Sequence, residues 1–269
     1  MTEPGEQWTP ADAEQLRQGV CTDQPLWRWL RHFCLLLPSD PRCKVCLRPF
    51  AGLGGKLLRV TGYGPSRMNP SVCNSCYERT PIGGAEAEIG ILFVDIRGFT
   101  AMAEGETPEQ AAALLNRFYA LATGVLWHHD AFVDKLMGDE VMAEFLIGQA
   151  GGGAIEKMAS SAEALVRGAG YGSKEGPWLP IGIGLDFGLA FVGNVGAGEA
   201  KDWTAVGDVV NTAARLQAEA KPGQIVMSER VYREVSERFP DAVADQLTLK
   251  GKSEPVAARV VDIASGAGR

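Results

Sequence analysis

Ile89-Gly90-Ile91-Leu92-Phe93-Val94-Asp95-Ile96-Arg97-Gly98-Phe99-Thr100 is the stretch that decides the fold. Ile89 to Val94 is a short apolar run bounded by turn signals, which predicts a buried strand. Asp95 follows that run and precedes a glycine turn, so its carboxylate is expected at a strand end. Free backbone N–H groups in such a turn can cradle phosphates.

Downstream, Ala131 to Leu136 and Val141 to Phe145 flank Met137-Gly138-Asp139-Glu140. Two strand-like runs around a tight glycine-containing loop predict a hairpin with Asp139 at its tip. Thr107-Pro108-Glu109-Gln110 is a capping box with proline at the first helical position, and Leu114, Leu115, Phe118, Leu121 and Ala122 continue a helical stripe. Ile155 to Arg167 and Asp208 to Ala220 read as helices, and Leu179 to Leu185 and Leu189 to Val192 as strands. This order predicts an α+β domain of the ferredoxin-like kind, an antiparallel or mixed sheet with helices packed on one face. It is expected to span residues 87–265, behind a linker at 81–86.

Residues 1–40 are expected to be helical, starting at the Thr9-Pro10 cap and ending at Pro38. Residues 41–80 carry scattered Gly and Pro, which excludes long helices there. All six Cys lie before residue 77, four of them as Cys43-x-x-Cys46 and Cys73-x-x-Cys76. Two such knuckles can present four thiolates to one tetrahedral ion, which makes 41–80 a zinc-ribbon-like module. Zinc is the expected ion, because it imposes no electronic geometry and the module has too few apolar residues to fold unaided. An iron–sulfur cluster is the alternative that four thiolates allow. Cys21 and Cys34 have no partner at ligand spacing and read as buried free cysteines.

At 46% hydrophobic and 22% charged, 269 residues suffice for one full core and a small second module. The apolar stretch Leu26 to Leu37 is broken by Arg28, Arg31 and His32 and is shorter than the roughly 20 residues of a membrane span. Met1 to Gly19 is acidic and polar, unlike a secretion signal. A cytoplasmic, reducing setting is therefore expected, in keeping with metal ligation over disulfides. Residues 1–80 carry net +3 and the remainder net −10. Within 41–80, Arg42, Lys44, Arg48, Lys56, Arg59, Arg67 and Arg79 face Glu78 alone. With no aromatic run or recognition helix, docking or structural support is expected there over nucleic-acid reading.

Two aspartates at a strand end and an adjacent hairpin tip are a common way to hold Mg²⁺ with substrate phosphates. The segments Phe93 to Thr100, Lys135 to Asp139, Val206-Gly207-Asp208-Val209-Val210-Asn211 and Leu249-Lys250-Gly251 resemble, in order and separation, the class III adenylyl and guanylyl cyclases. The resemblance implies that Asp95, Ile96 and Asp139 hold two Mg²⁺ or Mn²⁺ ions, one activating the ribose 3′-hydroxyl and the other holding the triphosphate. Without metal, two carboxylates about 4 Å apart would repel by about 4 kcal/mol at an effective dielectric of about 20.

The resemblance further implies that Phe99, Thr100 and Lys250 bind substrate, that Asn211 orients the ribose and that Arg215 neutralises charge growing on the α-phosphate. Asn211 and Arg215 are four residues apart on the predicted helix and share a face. Lys135 and Thr204 stand at the family's base-selecting positions, where a lysine donor and a hydroxyl acceptor suit adenine. Two mismatched buried hydrogen bonds, at about 1–3 kcal/mol each, would disfavour GTP by about 30-fold to 10⁴-fold. This Lys and Thr pairing resembles the bicarbonate-responsive adenylyl subgroup, whereas an arginine found in some members is replaced by Leu189. The activity implied is conversion of ATP to cyclic AMP and pyrophosphate by a homodimer whose chains share each active site. The alternative is a metal-knuckle nucleic-acid or protein adaptor carrying an inactive cyclase-like domain.

Overall fold

The computed structural model describes residues 9–37, 41–60, 63–66, 71–79, 83–197, 200–252 and 254–263. The apolar run at 89–94 is the middle of a longer strand, β1 (Gly84–Ile96). It pairs antiparallel with β3 (Glu140–Phe145) on one side and with β4 (Ile181–Ala197) on the other. β2 (Phe132–Met137) closes the hairpin on β3, and β5 (Ala200–Val206) folds back on β4. β6 (Gln224–Ser228) runs parallel to β4, followed outward by β8 (Val256–Asp262) and β7 (Val243–Leu247). The result is an eight-stranded mixed sheet, in the order β2-β3-β1-β4-β6-β8-β7 with β5 branching from β4. The expected α+β class is the one observed.

Ten helices are described: α1 (Pro10–Cys21), α2 (Pro25–Leu36), α3 (Gly52–Arg59), α4 (Asn74–Arg79), α5 (Phe99–Glu104), α6 (Pro108–His128), α7 (Ile147–Ala150), α8 (Ala154–Gly168), α9 (Asp208–Glu219) and α10 (Glu229–Val235). The capping box at Thr107 and Gln110 starts α6, and Thr9 starts α1 through the same reciprocal bonds with Asp12. Each such cap contributes about 1 kcal/mol. None of the described helices is long and apolar enough to cross a membrane.

Helices cover both faces of the sheet, not one. Leu92, Val94 and Ile96 pack with Phe118, Met158, Leu165 and Val231 from α6, α8 and α10. Ile89, Ile91 and Phe93 pack on the opposite face with Val209 and Ala213 of α9 and Val20 of α1. The reason lies in β1 itself. An unbroken apolar run, rather than an alternating one, marks a strand buried on both sides.

Two further expectations change. Residues 84–86, expected as linker, are strand, while Pro81 and Ile82 lie outside the described residues. The two short strands expected at 179–185 and 189–192 are one strand, β4, whose Gly182, Gly184, Gly188 and Gly193 all find partners on β1. Gly184 is required by close approach, since a Cβ there would overlap the α9 backbone at Ala213 and Gln217.

The N-terminal helices are docked, not tethered. Arg31 of α2 is buried and donates to the Asp130 carbonyl at 3.3 Å, the Ala131 carbonyl at 2.8 Å and Gln149 Oε1 at 2.7 Å. Burial lowers its pKa to about 10, with Asp130 opposing, so it stays charged at neutral pH. Leaving a buried polar group without one of its hydrogen-bond partners costs about 1–3 kcal/mol, and more when the group is charged.

Gly184→Val is expected to push α9 off β4 and lower the melting temperature by about 3–10 °C, from overpacking of about 1–3 kcal/mol. Differential scanning calorimetry of the full chain checks this.

Candidate active site and cysteine cluster

The end of β1 and the tip of the β2–β3 hairpin are joined by backbone. The Ile96 N–H donates to the Asp139 carbonyl at 3.1 Å, and Asp95 lies opposite Glu140 in register. Gly138, at φ 62°, makes the tight turn that a side chain would strain. The Tyr119 hydroxyl of α6 donates to the Gly138 carbonyl and pins that tip. Asp95 and Asp139 are thus brought together as their positions in the sequence predicted.

The pair is electrostatically unbalanced. Burial raises the Asp95 pKa, the Arg97 guanidinium bonded to Asp95 opposes that, and the Asp139 charge raises it further. Glu140 is raised by burial, then by Asp95 and Asp139. Three carboxylates around one guanidinium leave excess negative charge on hard oxygen donors, which fits a divalent cation such as Mg²⁺. Arg97 also donates to the Gln217 and Ala218 carbonyls at 3.4 Å, tying this corner to the end of α9.

Phe99 and Thr100 open α5; Phe99 packs against the core and Thr100 is exposed. Asn211 is exposed on α9, and Arg215 follows one turn later. The Arg215 guanidinium reaches the Lys250-Gly251 turn, with Nη2 3.2 Å from where a Cβ on Gly251 would sit. Beside them, Lys252 Nζ donates to Asp208 Oδ1 at 2.7 Å, a pair the sequence did not single out. Leu189 is exposed on β4.

Lys135 and Thr204, 69 positions apart, meet at one carboxylate. The register between β2 and β3 shifts between Val133 and Lys135, a bulge that brings Asp134 and Lys135 together. Lys135 Nζ donates to both Asp134 oxygens at 3.1 Å, and the Thr204 hydroxyl donates to Asp134 Oδ2 at 2.6 Å. Trp203, next to Thr204, sets its ring edge against Phe132 at 6.5 Å, so the β4–β5 ribbon reaches the far strand β2. Glu144 lies behind this edge, fully buried, with the Ala205 backbone facing its carboxylate. Burial raises its pKa well above the usual value, and the Asp134 charge adds to this. Asp134, Glu144, Arg97 and Tyr119 were not singled out in the sequence: Glu144 and Tyr119 acquire their surroundings from distant segments, while Arg97 and Asp134 add distant partners on α9 and β5 to a near neighbour.

The four knuckle sulfurs lie within 4.8 Å of one another, and all four residues are buried. Cys46 and Cys73 are 3.7 Å apart, the Cys73 N–H donates to the Cys43 sulfur at 3.2 Å, and the Cys76 N–H donates to the Cys73 sulfur at 3.4 Å. A hydrogen bond with Cys46 helps lower the Cys43 pKa to about 7. Converging sulfurs with backbone N–H donors fit a tetrahedral soft ion. Cys34 is buried and Cys21 half-buried, both apart from the cluster.

Three of the module's cations turn inward. Arg42 donates to the Cys34, Leu37 and Leu47 carbonyls, Lys44 to Asp202, and Arg48 stacks on Tyr63 at 3.9 Å. Arg67 lies outside the described residues.

The family described as the adenylate and guanylate cyclase catalytic domain matches residues 84–260. An uncharacterized protein of Mycobacterium tuberculosis is 32% identical over 187 residues, which are 66% of this chain and 32% of its own length. A second from the same organism is 31% identical over 183 residues, 66% of this chain and 33% of its own. The chain thus spans about a third of the length of the curated relatives it matches. The crystal structure of the adenylyl cyclase CyaB from P. aeruginosa is similar at TM-score 0.58 and 27% identity, covering 67% of this chain and 97% of that one. The guanylyl cyclase Cya2 is similar at TM-score 0.60 and 28% identity, covering 67% and 94%.

Glu144 yields a prediction about pH. The folded state keeps a proton that the unfolded chain releases near its ordinary carboxylate pKa, so stability is fullest below that value and falls as pH rises. Glu144→Gln is expected to flatten the fall in melting temperature between about pH 5 and about pH 8, read by thermal unfolding at both.

Proposed function

Because the chain belongs to the adenylate and guanylate cyclase catalytic-domain family, we propose that it is an adenylate cyclase. It closes ATP to 3′,5′-cyclic AMP and releases pyrophosphate, in cyclic-nucleotide signalling.

The observation that carries the base preference is the meeting of Lys135 and Thr204 on Asp134. Thr204 gives its only proton to Asp134, so its oxygen meets a ligand as an acceptor. Lys135 has three N–H donors, of which two at most go to Asp134, so one is left to donate. Adenine offers an acceptor at N1 and a donor at its 6-amino group; guanine offers the reverse. Similarity to one adenylyl and one guanylyl cyclase leaves this choice to the residues.

Asp95, Ile96 and Asp139 are the proposed metal positions, and a pair of Mg²⁺ or Mn²⁺ ions there would activate the 3′-hydroxyl and neutralise the triphosphate. The N-terminal turn of α5, with Phe99 and Thr100, would lie along the phosphates. Arg215, at the Lys250-Gly251 turn, would meet the charge that grows on the α-phosphate, a contact stronger in the transition state than with bound ATP. Asn211, one turn earlier, would orient the ribose. Each chain carries these parts once, so the proposed enzyme is a homodimer with two composite sites, Asp95 and Asp139 from one chain facing Lys135, Thr204, Asn211 and Arg215 of the other. The proposed setting is the cytoplasm, where thiols stay reduced, and the proposed ion in the cysteine cluster is zinc, with an iron–sulfur cluster as the alternative.

Purified protein should form cyclic AMP from Mn²⁺–ATP. Asp95→Ala should abolish this, and Arg215→Ala should lower kcat about 10²-fold to 10³-fold. Mixing the two variants should restore about a quarter of wild-type turnover, because half the dimers are hybrids with one intact site. Folded variants with full turnover would refute the assignment, and mixtures that stay silent would refute the shared site.

Cys73→Ser should lose about one equivalent of zinc per chain and melt several degrees lower. Elemental analysis reads the metal, and a visible absorption band would point to iron instead.

A further inference from the structure

Lys44 lies inside the first knuckle, between Cys43 and Cys46, with its backbone N–H on the Ser71 carbonyl at 3.0 Å. Its side chain, only 14% exposed, leaves the cluster and crosses to the catalytic sheet. There Nζ donates to Asp202 Oδ1 at 3.1 Å and to the Asp134 carbonyl at 3.4 Å, above the Phe132 ring. Asp202 stands two residues before Thr204, and its other oxygen is 3.8 Å from Lys135 Nζ. Two lysines therefore compete for one carboxylate, and the nearer one belongs to the cysteine module.

We propose that Lys44 is a positioning residue for nucleotide recognition, holding Asp202 away from Lys135 so that Lys135 stays available to the base. This rests on Lys135 and Thr204 being the base-recognising pair. Without Lys44, Asp202 has Lys135 as its nearest cation and draws it from the nucleotide. The four-cysteine cluster is thereby coupled to substrate binding, because the knuckle that it closes fixes where the Lys44 stem begins.

The test is a cycle in the full chain, with Lys44→Ala, Asp202→Asn, the double variant and Lys44→Arg. Lys44→Ala should raise KM for ATP about threefold to fivefold, as expected for a half-buried ion pair, with kcat within about twofold. The double variant should return to the KM of Asp202→Asn, and Lys44→Arg should stay near wild type. An unchanged KM in Lys44→Ala, or a double variant as impaired as Lys44→Ala, overturns the proposal.

A readout independent of turnover separates this from the cyclase assignment. Acetylation of Lys135 by an N-hydroxysuccinimide ester, followed by peptide mass spectrometry, should slow about threefold in Lys44→Ala and recover in the double variant, because an amine held by a second carboxylate is less accessible to the reagent. Should wild-type protein form no cyclic AMP, the cyclase reading fails while the acetylation cycle still judges the competition for Asp202. Equal acetylation in all four variants overturns it.

Discussion

One backbone hydrogen bond, from the Ile96 N–H to the Asp139 carbonyl, fixes the geometry on which the rest of this molecule turns. It continues the β1–β3 ladder past the last residues of the strand and onto the hairpin tip. Its consequence is unfavourable in isolation, since the Asp139 charge penalises ionised Asp95, and Asp95 and Asp139 both penalise ionised Glu140. The surrounding fold offsets that repulsion through a strand buried on both faces, a tyrosine on the tip and Arg97 beside Asp95. Conflict of this kind between local chemistry and global packing is expected at functional sites, and here its excess negative charge fits a cationic ligand.

The same logic explains why the N-terminal region sits against the sheet. A strand apolar on every residue from 91 to 94 needs cover on its second face, and α1 supplies part of it through Val20. Arg31 then ties α2 to the start of β2, and Lys44 ties the first knuckle to the middle of β2 and to β5. These contacts differ in kind: apolar burial, a buried guanidinium on carbonyls, and an ammonium on a half-exposed carboxylate. The last is the weakest, because solvent screens it most, and so it is the one most easily rearranged.

Elements whose cause is local were legible in the sequence. The caps at Thr9 and Thr107, the turn at Gly138, the helix at Asp208 and the convergence of two Cys-x-x-Cys pairs need only neighbours along the chain or a fixed spacing. Elements whose cause is distant were not. β4 reads as two strands because its glycines break the apolar pattern, yet α9 demands a glycine at 184 and β1 pairs with all of them. Helices on the second face were missed although the unbroken β1 run already required them. Lys135 and Thr204 could be singled out by position in a family pattern, but Asp134, which joins them, reads as an ordinary polar residue in a strand. Its part depends on a bulge and on a ribbon arriving from β5.

That dependence bears on the base preference proposed for this site. A threonine hydroxyl is both donor and acceptor, so Thr204 alone carries no preference between adenine and guanine. Asp134 removes the ambiguity by accepting the hydroxyl's hydrogen bond, although burial raises the Asp134 pKa. Lys135 opposes that shift, as do Thr204 and Lys44. Behind them, burial and then the Asp134 charge raise the Glu144 pKa, which favours its neutral form, while Lys135 and Lys44 oppose that shift. In the proposed cyclase, the polarity that Thr204 and Lys135 would present to a nucleotide therefore depends on Asp134 as well as on the two residues themselves.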